Sequence, residues 1–564
     1  MSATVSAQPP RKPGLFSRLG RDPNAIWMRE MRQSARLGRT PWVLFSLTLM
    51  IALVMCSSGA IGAASGASPA KLGEGLFQGF FSLAYFVVVI AGPTIAANSI
   101  ASEREGRTWE AVQLTGLHAK DIARGKFMAA YTSLGLYIVV IAPVGALPFL
   151  FGGVTALEVV VAFVFLFIVA ALAVAFGLAI SSQMSSLRGA IVVTLMLALL
   201  AGPTLYGIFG VAASTVLHKE WNSVPEAFPV WLPLAYTRAP FGLEYVLVLI
   251  AMPLLLLLLP AWLLFEFTTS NLTGETDDRA TGLKRWYALS TPVVASMLSL
   301  AVLLADDGKS RVVATLAELS AFACYLAVCA LMFSFDTAGP SRRVEVHWAR
   351  DGAGAVRRFF GPGIGRTTIL LLVMGLAGLA QIVAVGVMSI SLAASSSTVT
   401  YGGLSTGGDV RSVLAFAAYA AGFAVFTAGL LAWLRARGSS PWGARLIGLA
   451  AMFSISAAPW LVAAIGGIAA HGADDWLIAG APSPFFAFLM VENISRATTS
   501  EMPFVPAGLA CALGWGLLGL LLLGAAMGRC ARAIRAQREA IAQTEAALRA
   551  EDEAIATHAA AATT

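Results

Sequence analysis

Long apolar runs separated by short polar ones dominate the chain. About twelve of them approach the roughly 20 residues that an α-helix needs to cross the hydrocarbon layer of a bilayer. In the first half they lie near Pro41–Gly62, Gln78–Ser99, Phe127–Phe151, Leu157–Ser181, Ala190–Ala213 and Glu244–Phe267. In the second half they lie near Trp286–Ala305, Val312–Phe335, Thr367–Leu392, Ser412–Leu434, Leu446–Ala470 and Pro506–Met527. The pattern predicts an all-α, polytopic membrane protein in four segments. Residues 1–40 form an N-terminal cytoplasmic segment, 41–267 a first six-span domain, 268–528 a second, and 529–564 a helical cytoplasmic tail. The first run begins too late, and runs too long, for a cleavable signal.

Composition supports this: 58% of the residues are hydrophobic and only 12% charged, too few to clothe a soluble surface. The net charge of +7 would suit nucleic acid only if the basic residues clustered on one exposed face. They sort by loop instead, so no nucleic-acid partner is expected. Loops rich in Lys and Arg stay in the cytoplasm, and placing the N-terminus inside gives those loops most of the basic residues. Both termini are then cytoplasmic in a bacterial inner membrane, and the loops around Glu74, Lys219, Asp307, Gly407 and Asp475 face outward. The five cysteines show no metal-like spacing, and His218, His347 and His471 stand alone, so neither metal nor cofactor is expected.

The segment before the first span reads as a helix, with Asp22 as N-cap, Pro23 at the first helical position and Gly38 as the stop. Arg29, Arg32, Arg36 and Arg39 fall on one side and Trp27, Met31 and Ala35 on the other, with Glu30 between them. Such a helix lies in a membrane interface with its cations toward lipid phosphates.

The loop between the second and third spans carries Glu103-Arg104-Glu105-Gly106-Arg107-Thr108-Trp109-Glu110, then Leu114-Thr115-Gly116-Leu117 and Gly125-Lys126. As one helix it would stack Glu103, Arg107 and Glu110 at i, i+4 and i+7 beside Arg104, with Trp109 and Val112 opposite. An ion-paired face and an apolar face suit a helix that docks on a soluble partner while resting on the bilayer.

This pattern resembles the first cytoplasmic loop of type-2 ABC exporter permeases. Members of that family show an acidic-basic-acidic triplet, a Gly-Thr-x-Glu, a Leu-x-Thr-Pro-Leu-like run and a Gly-Lys entering the next span. The stretch from Asn24 to Arg32 is similar to the interfacial helix that opens many of them. The chain departs from the pattern in having Arg107 between Gly106 and Thr108, and Gly116 where proline is usual. The resemblance covers the first six-span set. It implies a transmembrane subunit of an ATP-driven transporter, with 100–126 as the coupling loop and a separate nucleotide-binding ATPase subunit as partner. A second permease chain and membrane lipid are the other partners it implies.

Such a chain should not itself be an enzyme, and its Gly-Lys pairs, Gly125-Lys126 and Gly308-Lys309, are not phosphate loops, since no glycine precedes either at the motif's spacing. Leu404-Ser405-Thr406-Gly407-Gly408 looks superficially like an ABC signature but falls in an expected external loop. Two other classes stay open. An ion-coupled carrier would want deep, paired charges, whereas Glu318 is placed near the outer surface and Glu158 and Glu244 at span ends. A structural anchor needs no special residues.

The loop from Asp336 to Arg366 holds the same place by span count as the Glu103 loop. It fits either a second permease half or an added membrane domain. After Met527, Ile534, Ile541, Leu548 and Ile555 recur every seven residues with polar residues between them, half a coiled-coil seam on a solvated helix.

Overall fold

The computed structural model describes residues 24–36, 39–208, 210, 213–224, 231–274, 276–305, 308–396, 406–470, 475–496 and 504–562. Asp22, Pro23, Gly38, Asp307, Leu404, Ser405 and His471 lie outside them. Among the described residues the regular structure is all helix, and twelve helices are long and apolar enough to cross a membrane. A helix satisfies its own backbone, which is what a segment surrounded by lipid requires.

The chain divides into two units, Met1–Thr273 and Gly274–Thr564. The spans of the first are Pro41–Ala64, Pro69–Glu105, Ala119–Phe151, Ala156–Ser181, Leu187–Gly207 and Leu243–Leu272. Those of the second are Thr281–Leu303, Gly308–Phe335, Ile364–Ala393, Asp409–Ala436, Pro441–Ala469 and Phe504–Ile555. Several outrun the apolar stretches read from the sequence. The second starts at Pro69, where proline suits the first helical turn after Ser68.

In the first unit the second and fourth spans form the centre. Gly177 lies so close to the Pro93 backbone that a Cβ there would collide with it. The first span stays peripheral and shows Trp42, Leu53 and Ile61 outward, a face suited to lipid. One end of this unit is closed by ions: Arg238 donates to Glu74 Oε1 at 2.8 Å and to the Gly153 carbonyl at 3.0 Å, and lies 3.7 Å from Glu158. Glu158 therefore does not snorkel at a span end as its position suggests. It is 1% exposed, closes a capping box with Thr155 and accepts from Thr237.

In the second unit the tenth and twelfth spans pack backbone to backbone. A Cβ at Gly422 would strike the Ala512 carbonyl, and one at Gly429 the Gly519 carbonyl. Small residues seven apart on both helices allow this approach. The twelfth span continues as a single helix, Phe504–Ala562. Its tail is not merely solvated: Arg538 pairs with Glu345 at 3.1 Å and Glu545 with Arg342, both on the loop helix Arg342–Arg350.

Candidate functional site

The N-terminal helix, Ala25–Arg36, begins one residue after Asn24. Asn24 Oδ1 accepts from the N–H groups of Ile26 at 3.0 Å and Trp27 at 3.4 Å, so Asn24 is the cap expected at Asp22. Its Nδ2 also donates to the Asp121 carbonyl at 2.8 Å, pinning the helix to the start of the third span. Ile26 packs beside Gly125, where any side chain would strike Asn24 and Ile26.

The next residue, Lys126, is the centre of the site. Its side chain is fully buried, and its ammonium donates to the Ser99 carbonyl at 2.8 Å and to Glu30 Oε1 at 3.3 Å. It also lies 3.0 Å from Glu103 Oε2. Arg29 completes the quartet, donating to Glu30 Oε1 at 2.9 Å and to Glu103. Burial works against the Arg29 charge, but the two carboxylates outweigh it and hold the guanidinium above its ordinary value. Arg29 therefore turns toward carboxylates on its own helix and the second span. Arg32 is exposed, Trp27 is half-buried with its indole N–H unpartnered, and the side chain of Arg36 lies outside the described residues.

The loop is not one helix. The second span ends at Glu105, and a short helix runs from Trp109 to Leu114. Between them Gly106 and Thr108 return N–H groups to Ser102 and Glu103, and Arg107 takes φ 54°. That left-handed turn breaks the expected stack of Glu103, Arg107 and Glu110. Each member of the acidic-basic-acidic triplet instead holds a different element. Glu103 joins the N-terminal helix and the third span. Arg104 donates to the Met184 carbonyl at 3.3 Å and lies over Trp109, 5.6 Å from the ring centre. Glu105 accepts from the Leu187 N–H at 2.6 Å, the first helical residue of the fifth span. Trp109 packs against the core with buried Val112, whereas Glu110, Gln113 and Leu114 point away, Leu114 at 87% exposed. Gly116 sits at φ 71°, which proline cannot adopt.

Lys126 escaped the sequence reading, which took Gly-Lys only as an entry to the span. A lysine seven residues inside a helix that crosses a membrane was the available signal. The second unit holds another such pair, Lys284 and Asp336, 3.2 Å apart and almost fully buried. Lys284 donates to the Gly361 carbonyl at 2.6 Å, and Asp336 accepts from the Thr337 and Gly363 N–H groups and from Thr367. In the eighth span Glu318 lies ten residues into a helix that starts at Gly308, level with the last turn of the seventh span, Thr281–Leu303. It accepts from the Val302 N–H at 3.1 Å, and its other oxygen has no partner. Among the described residues no three His, Cys, Asp or Glu side chains could hold a metal.

Twelve spanning helices with charges buried at their ends define a multi-pass helical membrane protein. No protein-family model matches the chain, and no curated protein matches it.

Proposed function

We propose that the chain is the membrane-spanning permease subunit of an ATP-driven exporter, with a separate nucleotide-binding ATPase docking on the short helix Trp109–Leu114. In this reading the protein sits in a bacterial inner membrane with that helix in the cytoplasm, and pairs with a second permease chain. The observation that carries it is how the helix is held. Glu103, Arg104 and Glu105 tie its root to the N-terminal helix and to the third and fifth spans, while Glu110, Gln113 and Leu114 stay free. A force on the free side passes to several spans at once.

The test is the double variant Glu110→Lys/Leu114→Asp. It should insert and fold normally, yet lose co-purification of the ATPase subunit and the ATP hydrolysis of the complex in nanodiscs. Wild-type levels of both would sink the reading.

A proton-coupled carrier is the second reading, favoured by Glu318: a buried carboxyl with one free oxygen and no cation paired with it among the described residues. Transport abolished in Glu318→Gln but intact in the double loop variant would support it.

A further inference from the structure

We propose that the cavity beside the ionic quartet binds an amine-bearing phospholipid, its phosphoethanolamine head at the quartet and its acyl stem along the second and third spans. This holds whether or not an ATPase docks on the loop helix.

The cavity measures about 700 Å³ and lies between the N-terminal helix and the second and third spans. It is polar at one end and apolar at the other. Arg29, Glu30, Glu103 and Lys126 line the first end, and Ile95 and Leu136 the second. From Lys126 to Tyr137 the third span runs roughly 16 Å at helical rise, enough for a lipid head and the upper part of its chains. Leu136 is 48% exposed, so this end opens on the surface of the spans, where lipid is the solvent.

The head chemistry follows from which polar atoms are left over. Glu103 Oε2 is buried with the Lys126 ammonium 3.0 Å away as its ion-pair partner, and no aligned hydrogen bond fills its remaining lone pair. Ser99 Oγ, one helical turn away on the same span, is also buried and unbonded. Both accept, and an ammonium group offers three donors to satisfy them. Beside them Arg29 is 43% exposed and, beyond its bonds to Glu30 and Glu103, has N–H groups to spare for a phosphate. The quartet carries two positive and two negative charges, so a ligand bearing one of each leaves it balanced. Choline has no N–H to give Glu103, and glycerol headgroups bring an uncompensated negative charge.

Native mass spectrometry of the full chain, delipidated and offered equal phosphatidylethanolamine, phosphatidylcholine and phosphatidylglycerol, tests this. One ethanolamine lipid should stay bound per chain, preferred about tenfold, the effect of one charge-assisted hydrogen bond. Glu103→Gln should erase the preference. Ser133→Leu, which fills the cavity, should remove the adduct, and Leu136→Trp at the mouth serves the same purpose should that variant misfold. Equal retention of the three lipids overturns the proposal, as does an unchanged adduct in the filled variants. Water-soluble glycerophosphoethanolamine binding as tightly as the lipid would assign the site to a soluble ligand and overturn it too.

Discussion

Two buried lysines, one in each unit, meet the same problem with opposite outcomes. Lys284 faces a single carboxylate, and that carboxylate is saturated: Asp336 takes backbone N–H groups from Thr337 and Gly363 and a hydroxyl from Thr367. Arg435 donates to the Asp336 carbonyl at 2.9 Å, closing the cluster further. Lys126 faces two carboxylates and a second cation, and borders a cavity lined by Ser99, whose buried hydroxyl makes no hydrogen bond. The first arrangement is a pin, its ion pair spent on holding neighbouring helices. The second keeps unspent bonding capacity, which a structural role alone does not need. Burial of a charge thus says little about use, and the state of its leftover lone pairs says more.

The largest effect should come from breaking the pin. Asp336→Ala leaves the buried Lys284 without its carboxylate, a change that costs about 3–5 kcal/mol. It should lower the Tm in detergent steeply, and removing both charges, Lys284→Met with Asp336→Leu, should restore much of the loss. A double variant no more stable than the single would show that Asp336 acts through its backbone contacts rather than through the ion pair.

Lys126→Met should cost less, about 2 kcal/mol, because Arg29 still compensates Glu103. If it matches Asp336→Ala in Tm, the open cluster is a pin as well. Smaller again is Gly125→Val, which puts a side chain against Asn24 and Ile26 at about 1–3 kcal/mol of overpacking. Its signature is local. A cysteine substituted for Ile26, which is 5% exposed in the wild type, should react rapidly with a thiol reagent only when combined with Gly125→Val, in a background freed of native cysteines. Last, Glu110→Lys/Leu114→Asp should shift stability by no more than about 0.5 kcal/mol, since both side chains are exposed. A larger shift would mean that the free face of the loop helix is not free.

The spans were legible in the sequence because hydropathy alone determines which segments prefer lipid. Their ends were less so, since Pro69–Gly79 mixes small and charged residues that only the packing of the second span makes helical. The site was half legible. Arg29, Glu30 and Glu103 stood out as charges near spans, but Arg29 meets Glu103 across 74 residues of chain and Glu30 meets Lys126 across 96, beyond any local periodicity. The break at Arg107 could not be read because it rests on a left-handed arginine, a conformation that side chains rarely favour. Glu105 stood out as part of the acidic-basic-acidic triplet, but only the fold brings it to the start of the fifth span.

The glycine contact between the tenth and twelfth spans sets a clock on biosynthesis. The tenth span is complete at residue 436, while its counterpart around Ala512 and Gly519 has yet to be made. At ribosomal speeds of about 5–20 residues per second the interval is on the order of 5–15 s. During that time the groove at Gly422 and Gly429 lacks the twelfth span that fills it. Slowing translation past residue 470, or truncating the chain before Ala512, should therefore expose the nascent protein to quality-control proteolysis more than the same delay placed after Gly519.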